Sequence, residues 1–256
     1  MIMEKMIQSP VVSPEDWLMA RRRLLQKEKE FTRLRDQLSA ARQELPRTRV
    51  TKEYIFDGPE GQVSLADLFE HRSQLIIRHF MMGPSWEEGC PGCSFASDHI
   101  GGALVHLEHH DVSYAAVSRA PFRKIAAFRQ RMGWDFKWVS SFGSVFNYDF
   151  HVSFTKEELS RGEGVYNFGV QKIDSEELPG LSIFYKDEDG QIYHTYSAYG
   201  RGDEELIGAY MYLDLTPRGR NETGPNGDQR DWVRHHDRYE EQPAAHSCCG
   251  AGKGEA

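Results

Sequence analysis

The sequence predicts a three-layer α/β/α sandwich around a mixed central sheet, and three observations carry that expectation. Residues 74–80 (QLIIRHF) and 112–118 (VSYAAVS) have the composition of buried strands, and each is followed by a stretch of helical periodicity. Strand, helix, strand, helix at this spacing makes a right-handed βαβα unit with parallel strands. Residues 181–185 and 191–196 flank the turn Lys186-Asp187-Glu188-Asp189-Gly190 and predict an antiparallel hairpin. Cys90-Pro91-Gly92-Cys93 stands between the first strand and its helix.

Taken in chain order, Ser13 with Pro14, Glu15 and Asp16 is a helix start: a hydroxyl cap, a proline whose missing N–H costs nothing there, and acids on the positive dipole end. The helix should run to Leu45, before Pro46. Trp17, Leu24, Phe31, Leu38 and Leu45 recur every seven residues, joined by Leu18, Leu25, Leu34 and Ala41. That set is wider than a strict seam, which favours a helix lying along the domain body; the alternative is a partner helix in a homodimer. Residues 54–56 predict a short strand, 57–59 a turn, and 63–69 a short helix or turn.

From the cysteines onward, Phe95, Ala96, His99, Ile100, Ala103, Leu104 and Leu107 predict one continuous helix. Gly101-Gly102 inside it costs about 1 kcal/mol per residue relative to alanine. The pair serves either close packing on the sheet or a kink. A second helix is expected over 121–132, irregular structure over 134–171, and a final helix over 203–212. The expected organisation is an N-terminal helical extension (1–46), a core domain (47–215), and a C-terminal extension ending in a disordered tail (216–256).

The 256 residues carry 31 Lys+Arg against 39 Asp+Glu, a formal net charge of −8, which argues against nucleic acid and anionic membranes as partners. With 39% hydrophobic and 27% charged residues the chain has the composition of a globular protein. Glu4 and Lys5 interrupt any N-terminal apolar segment, so no secretory signal is expected. No stretch has the length of a spanning helix. The expected compartment is the cytoplasm, where a C-x-x-C pair is catalytic or metal-binding more often than a permanent staple.

Strand, C-x-x-C at a helix start, βα unit, hairpin and terminal helix is the order of a thioredoxin-like domain. Free N–H groups at a helix N-terminus favour a thiolate, the species that attacks disulfides. Cys90 is therefore expected as the nucleophile and Cys93, one turn on, as the resolving thiol. Pro91 suits the first turn, and Gly92 completes the motif. Trp86, Glu87 and Glu88 should line the approach, with the two acids raising a nearby thiol pKa. Arg119, at the end of the second strand, is expected either to act on Cys90 or an anionic substrate or to form a surface salt bridge. His79 is either a proton-exchange group or a packed strand histidine. Pro179, just before the hairpin, sits where such folds usually carry a cis-proline facing the active-site disulfide; the other reading is a plain turn proline.

The combined runs His79-Phe80-Met81-Met82-Gly83-Pro84, Trp86 through Phe95, Val117 through Pro121, Met132-Gly133-Trp134, Tyr193 through Ser197 and Tyr199-Gly200-Arg201-Gly202 resemble a bacterial thioredoxin-like family. Its members are labelled predicted dithiol-disulfide oxidoreductases and were formerly a domain of unknown function. The resemblance spans residues 13–239 and implies a redox domain whose partner is a protein or small-molecule disulfide or thiol.

Two other functions compete. A peroxiredoxin-like peroxidase normally places Thr or Ser three residues before its cysteine; Glu87 occupies that position for Cys90, and Cys90 itself occupies it for Cys93. A structural zinc site needs four ligands. Cys90 and Cys93 supply two, Cys248 and Cys249 would make an awkward chelate, and His106, His109 and His110 fit a solvated helix end. The Cys248-Cys249 pair in the tail is a candidate electron relay. Gly200-Arg201-Gly202 is too short for a nucleotide fingerprint, so no cofactor is expected and electrons should arrive from another protein or a small thiol.

Overall fold

The structure is a computed structural model that describes residues 9–220, 222 and 232–239. Helix α1 (Pro14–Gln43) begins as expected, with the Ser13 hydroxyl accepting the Asp16 N–H at 3.1 Å. None of its residues is buried, so the expected packing along the body does not occur. The reason lies in the sheet, both of whose faces are already covered by other elements. Arg42 lies over the Tyr196 ring at 5.5 Å, and Arg35 approaches Glu205 at 4.0 Å.

The sheet strands are β1 (Thr48–Arg49), β2 (Ile55–Gly58), β3 (Gly61–Ser64), β4 (Gln74–His79), β5 (Val112–Ser118) and β6 (Lys137–Ser140). Past a separate small hairpin, β7 (Glu163–Tyr166) with β8 (Gly169–Lys172), come β9 (Gly180–Lys186) and β10 (Ile192–Tyr199). The eight-stranded order is β1-β10-β9-β4-β5-β6-β2-β3. β4, β5 and β6 run parallel, while β9 joins β4 antiparallel and pairs with β10 as the expected hairpin. This mixed sheet with helices on its faces is a thioredoxin-like fold. The β2–β3 hairpin was expected only as one short strand and a turn; pairing of Asp57 with Ser140 adds it to the sheet edge.

Alternation along the strands divides the core. Leu75, Ile77, Ala115, Val117, Val139 and Phe184 face one cluster, completed by Leu68, Phe69, Phe146 and Phe150. Ala116 and Trp138 face the other, with Phe80, Met82, Cys93, Ile125 and Phe128. That second cluster is roofed by α2 (Pro91–Ser97), α3 (Gly101–His109) and α4 (Phe122–Arg131).

The helix expected after the cysteines is thus two helices. At the break, the His99 ring bonds the Phe95 carbonyl at 2.7 Å and accepts the Ala209 N–H at 3.0 Å, while Asp98 accepts Trp134 Nε1–H at 2.8 Å. A Cβ on Gly101 or Gly102 would meet nothing, so the kink reading holds and the close-packing one does not. Within 134–171 lie β6, α5 (Phe146–Asp149), α6 (Lys156–Arg161) and the small hairpin. The expected final helix is instead a 3-10 segment, Gly200–Leu206, followed by α7 (Gly208–Leu213). Among the described residues no helix is long and apolar enough to cross a membrane.

Candidate active site

The loop after β4 carries the dithiol, and its backbone is tied at several points. Ala120 N–H bonds Met82 O at 2.8 Å, and Cys90 N–H bonds Met81 O at 3.0 Å. Gly89 runs so close to the core that a Cβ there would lie 2.5 Å from Phe80 and 2.7 Å from Phe128. Its carbonyl accepts the Nε2–H of buried His235 at 2.8 Å, which leaves Nδ1 to accept from Arg131 at 3.1 Å. These contacts hold the turn in a single place on the sheet edge.

Cys90 is the N-cap of α2, and its carbonyl accepts both the N–H and the hydroxyl of Ser94 at 2.9 Å. Pro91 stands exposed at the first helical position and Gly92 follows half-buried. Both cysteines are reduced: Cys90 is half-buried, Cys93 buried. The hydrogen bond from Cys93 to Cys90, then burial, then the charge a Cys90 thiolate would carry push the Cys93 thiol well above its ordinary range, against the pull of Met81 and Arg78. Cys93 therefore keeps its proton and offers it to Cys90, while Cys90 has the outward position.

Behind the dithiol a buried ion pair joins Arg78 of β4 to Asp203 of the 3-10 segment. Burial opposes the guanidinium charge, and Asp203, Tyr114 and Cys93 together outweigh it, so the Arg78 pKa stands above its ordinary value. Arg78 also bonds Tyr114, and its charge acts on Cys93. The Arg78 Nε atom is buried with no hydrogen-bond partner.

The expected neighbours separate. Trp86 packs against the same cluster as Cys90 and Cys93. Glu87 and Glu88 are each paired with a cation: Glu87 with Lys124 at 2.7 Å, Glu88 with Arg131 at 2.8 Å and with Arg238. Bonding to Arg238 holds the Glu88 carboxyl below its ordinary range. Arg119 forms an ion pair, as one of its expectations had it, but an enclosed one: it binds buried Glu177 at 2.5 Å and the Tyr148 hydroxyl, with part-exposed Glu176 at 3.6 Å. Burial pushes the Glu177 carboxyl up to about 7 despite Arg119 and Ser153. Adjacent Glu176 abuts Gly83, where a Cβ would fall 2.5 Å from its Oε1 and 3.1 Å from Trp86 Nε1.

Pro179 precedes the hairpin as expected, but its peptide bond is trans, and its carbonyl accepts the Tyr166 hydroxyl at 2.7 Å. His79 is the packed histidine: Nε2 bonds Ser182 at 2.8 Å, the ring lies tilted against both Phe146 and Phe150 with centroids at 5.6 Å, and burial lowers its pKa to about 3. It faces the cluster opposite the thiols. His106, His109 and His110 are exposed at the end of α3. Among the described residues no three His, Cys, Asp or Glu side chains gather as a metal site. Cys248 and Cys249 lie outside the described residues.

Four residues escaped the sequence reading: Arg78, Asp203, Glu177 and His235. An arginine inside the apolar run QLIIRHF was the available signal for the first. Nothing local marks Glu177 or His235, whose partners lie 58 and 146 residues away.

Solved structures that resemble this chain include peroxidoxin BcpB from Mycobacterium tuberculosis, at 12% identity and TM-score 0.43, covering 66% of this chain and 97% of that one. Peroxiredoxin Q from Xanthomonas campestris matches at 14% identity and TM-score 0.42, covering 64% of this chain and 90% of that one. A putative thiol:disulfide interchange protein DsbE from Chlorobium tepidum matches at 13% and 0.39, covering 68% and 100%. No curated protein matches the chain. The family described as bacterial protein of unknown function (DUF899) matches over residues 6–239, nearly the whole sequence, and the chain belongs to that family.

Proposed function

We propose that the protein is a dithiol-disulfide oxidoreductase working through Cys90 and Cys93. The observation that carries this reading is the asymmetry of the two thiols, one at a helix cap and accessible, the other enclosed and holding its proton toward the first. In the reaction, the Cys90 thiolate attacks a substrate disulfide, forming a mixed disulfide and expelling one substrate thiolate. Cys93 then gives up its proton to the leaving group and attacks the Cys90 sulfur. The substrate leaves as two thiols, the second thiolate taking its proton from water, and the Cys90–Cys93 disulfide holds the two oxidising equivalents until a donor dithiol reduces it. Arg78 favours the Cys93 thiolate that this second step requires.

Trapping distinguishes the roles. Cys93→Ser should accumulate mixed disulfides through Cys90, and Cys90→Ser should accumulate none, on non-reducing gels followed by peptide mapping. Equal trapping by both variants, or by neither, contradicts the proposal. A peroxidase would instead consume hydrogen peroxide with a thiol donor, an activity that Cys93→Ser should not reveal in this protein.

A further inference from the structure

We propose that Cys248 and Cys249 are the donor dithiol that reduces the Cys90–Cys93 disulfide, brought to it by a C-terminal segment docked on the active-site turn. The inference rests on the oxidoreductase reading above and names the redox partner of the same site. Trp232 and Val233 pack with Phe95 of α2, the Trp232 and Phe95 rings 5.5 Å apart. His235 donates to the Gly89 carbonyl at 2.8 Å, one residue before Cys90. His236 pairs with Asp98, at the end of α2, at 2.6 Å. Asp237 pairs with Arg131 of α4 at 2.8 Å, and Arg238 donates to Glu88 at 2.8 Å. Four consecutive residues, 235–238, are thus tied to the turn or to the helices beside it, which fixes where the chain beyond them starts.

That starting point is within reach of the dithiol. Glu88, which holds Arg238, stands two residues before Cys90, so the Arg238 backbone lies on the order of 20 Å or less from Cys90. Cys248 follows Arg238 by ten residues, a length that extends to about 35 Å. Ser247 and Gly250 flank the cysteine pair, so no bulky neighbour in the chain shields either sulfur. Two adjacent thiols also supply both electrons that the reduction needs. One tail thiolate attacks the Cys90 sulfur, since Cys93 is enclosed, and Cys93 leaves as a thiolate and takes a proton. The neighbouring tail thiolate then attacks the first tail sulfur and frees Cys90. Two electrons pass from the tail to the Cys90–Cys93 couple, and the two tail protons are replaced by protons on Cys90 and Cys93. Two molecules of a monothiol reduce the resulting Cys248–Cys249 disulfide and leave joined as their own disulfide. The tether makes the first attack intramolecular, an advantage on the order of a hundredfold over a thiol arriving from solution.

Two measurements on the full chain test this. In Cys93→Ser/Cys249→Ser and in Cys93→Ser/Cys248→Ser, Cys90 keeps a single tail partner. Oxidation with an equivalent of diamide should join the two in at least one of these variants, as a disulfide mapped in the monomer band of a non-reducing gel. In oxidised Cys248→Ser/Cys249→Ser, glutathione should reduce the Cys90–Cys93 bond about tenfold or more slowly than in the wild type. Absence of a Cys90-to-tail bond from both trapping variants, or an unchanged reduction rate, overturns the proposal. Cys93→Ser/Cys248→Ser/Cys249→Ser separates the tail from the site: it should still form a mixed disulfide with oxidised glutathione at Cys90. If it does while the tail measurements fail, the tail proposal alone falls; if it forms none, the oxidoreductase reading falls as well.

Discussion

At the scale of single residues, the site sets a buried cation behind a proton-holding thiol. Arg78 favours the Cys93 thiolate that must form transiently in the resolving step. Arg78→Met should therefore slow that step several-fold, read as a longer-lived mixed disulfide in quenched single-turnover reactions. Alone it also strands Asp203 in the interior, a loss of roughly 3–5 kcal/mol, whereas Arg78→Met/Asp203→Leu should regain most of that stability while keeping the slow resolution. A double variant that resolves at the wild-type rate would contradict the role given to Arg78. Glu177 makes a separate prediction. Its folded pKa, about 7, is raised above the unfolded one, so it contributes stability at low pH that is lost as pH rises through 7. The difference amounts to on the order of 3 kcal/mol across pH 4.5 to 7. Glu177→Gln should therefore gain on the wild type as pH rises from 5 to 8, by denaturant unfolding. His79 works in the opposite sense, losing its contribution as pH falls below the unfolded histidine pKa, so the comparison must be between variant and wild type rather than along one curve.

At the scale of elements, the turn before α2 is held by backbone and by sequence-distant side chains. Gly89→Ala has no room between Phe80 and Phe128 and should cost about 1–3 kcal/mol while slowing exchange, because relief of the clash moves Cys90. His235→Ala should leave the Gly89 carbonyl without its bond and raise the hydrogen-exchange rate of the turn. The start of α2 was legible in the sequence because Cys90, Pro91 and Cys93 are local signals. Its end was not: the stripe from Phe95 to Leu107 has uninterrupted helical periodicity, yet the His99 and Asp98 contacts to Ala209, Trp134 and His236 break it. Periodicity records which side of a helix is apolar; it does not record a distant side chain taking up a backbone group.

At the scale of the whole molecule, the parallel β4-β5-β6 unit and the β9–β10 hairpin followed from hydrophobic runs and turn residues. The β2–β3 addition and the fate of α1 did not. Whether an amphipathic helix lies on its own domain depends on whether a core face is left uncovered, and here the 134–171 segment supplies Phe146, Phe150 and Phe154 to one face while α2 and α4 close the other. The same layering places the dithiol where the strand ends meet the helix starts, and this is the basis of the central claim that the two thiols are chemically unequal. Brief alkylation of the reduced full-length protein with iodoacetamide at pH 7, mapped by mass spectrometry, tests that claim most directly. The account predicts rapid modification of Cys90 with Cys93 protected until the protein unfolds; comparable labelling of the two, or faster labelling of Cys93, would contradict it.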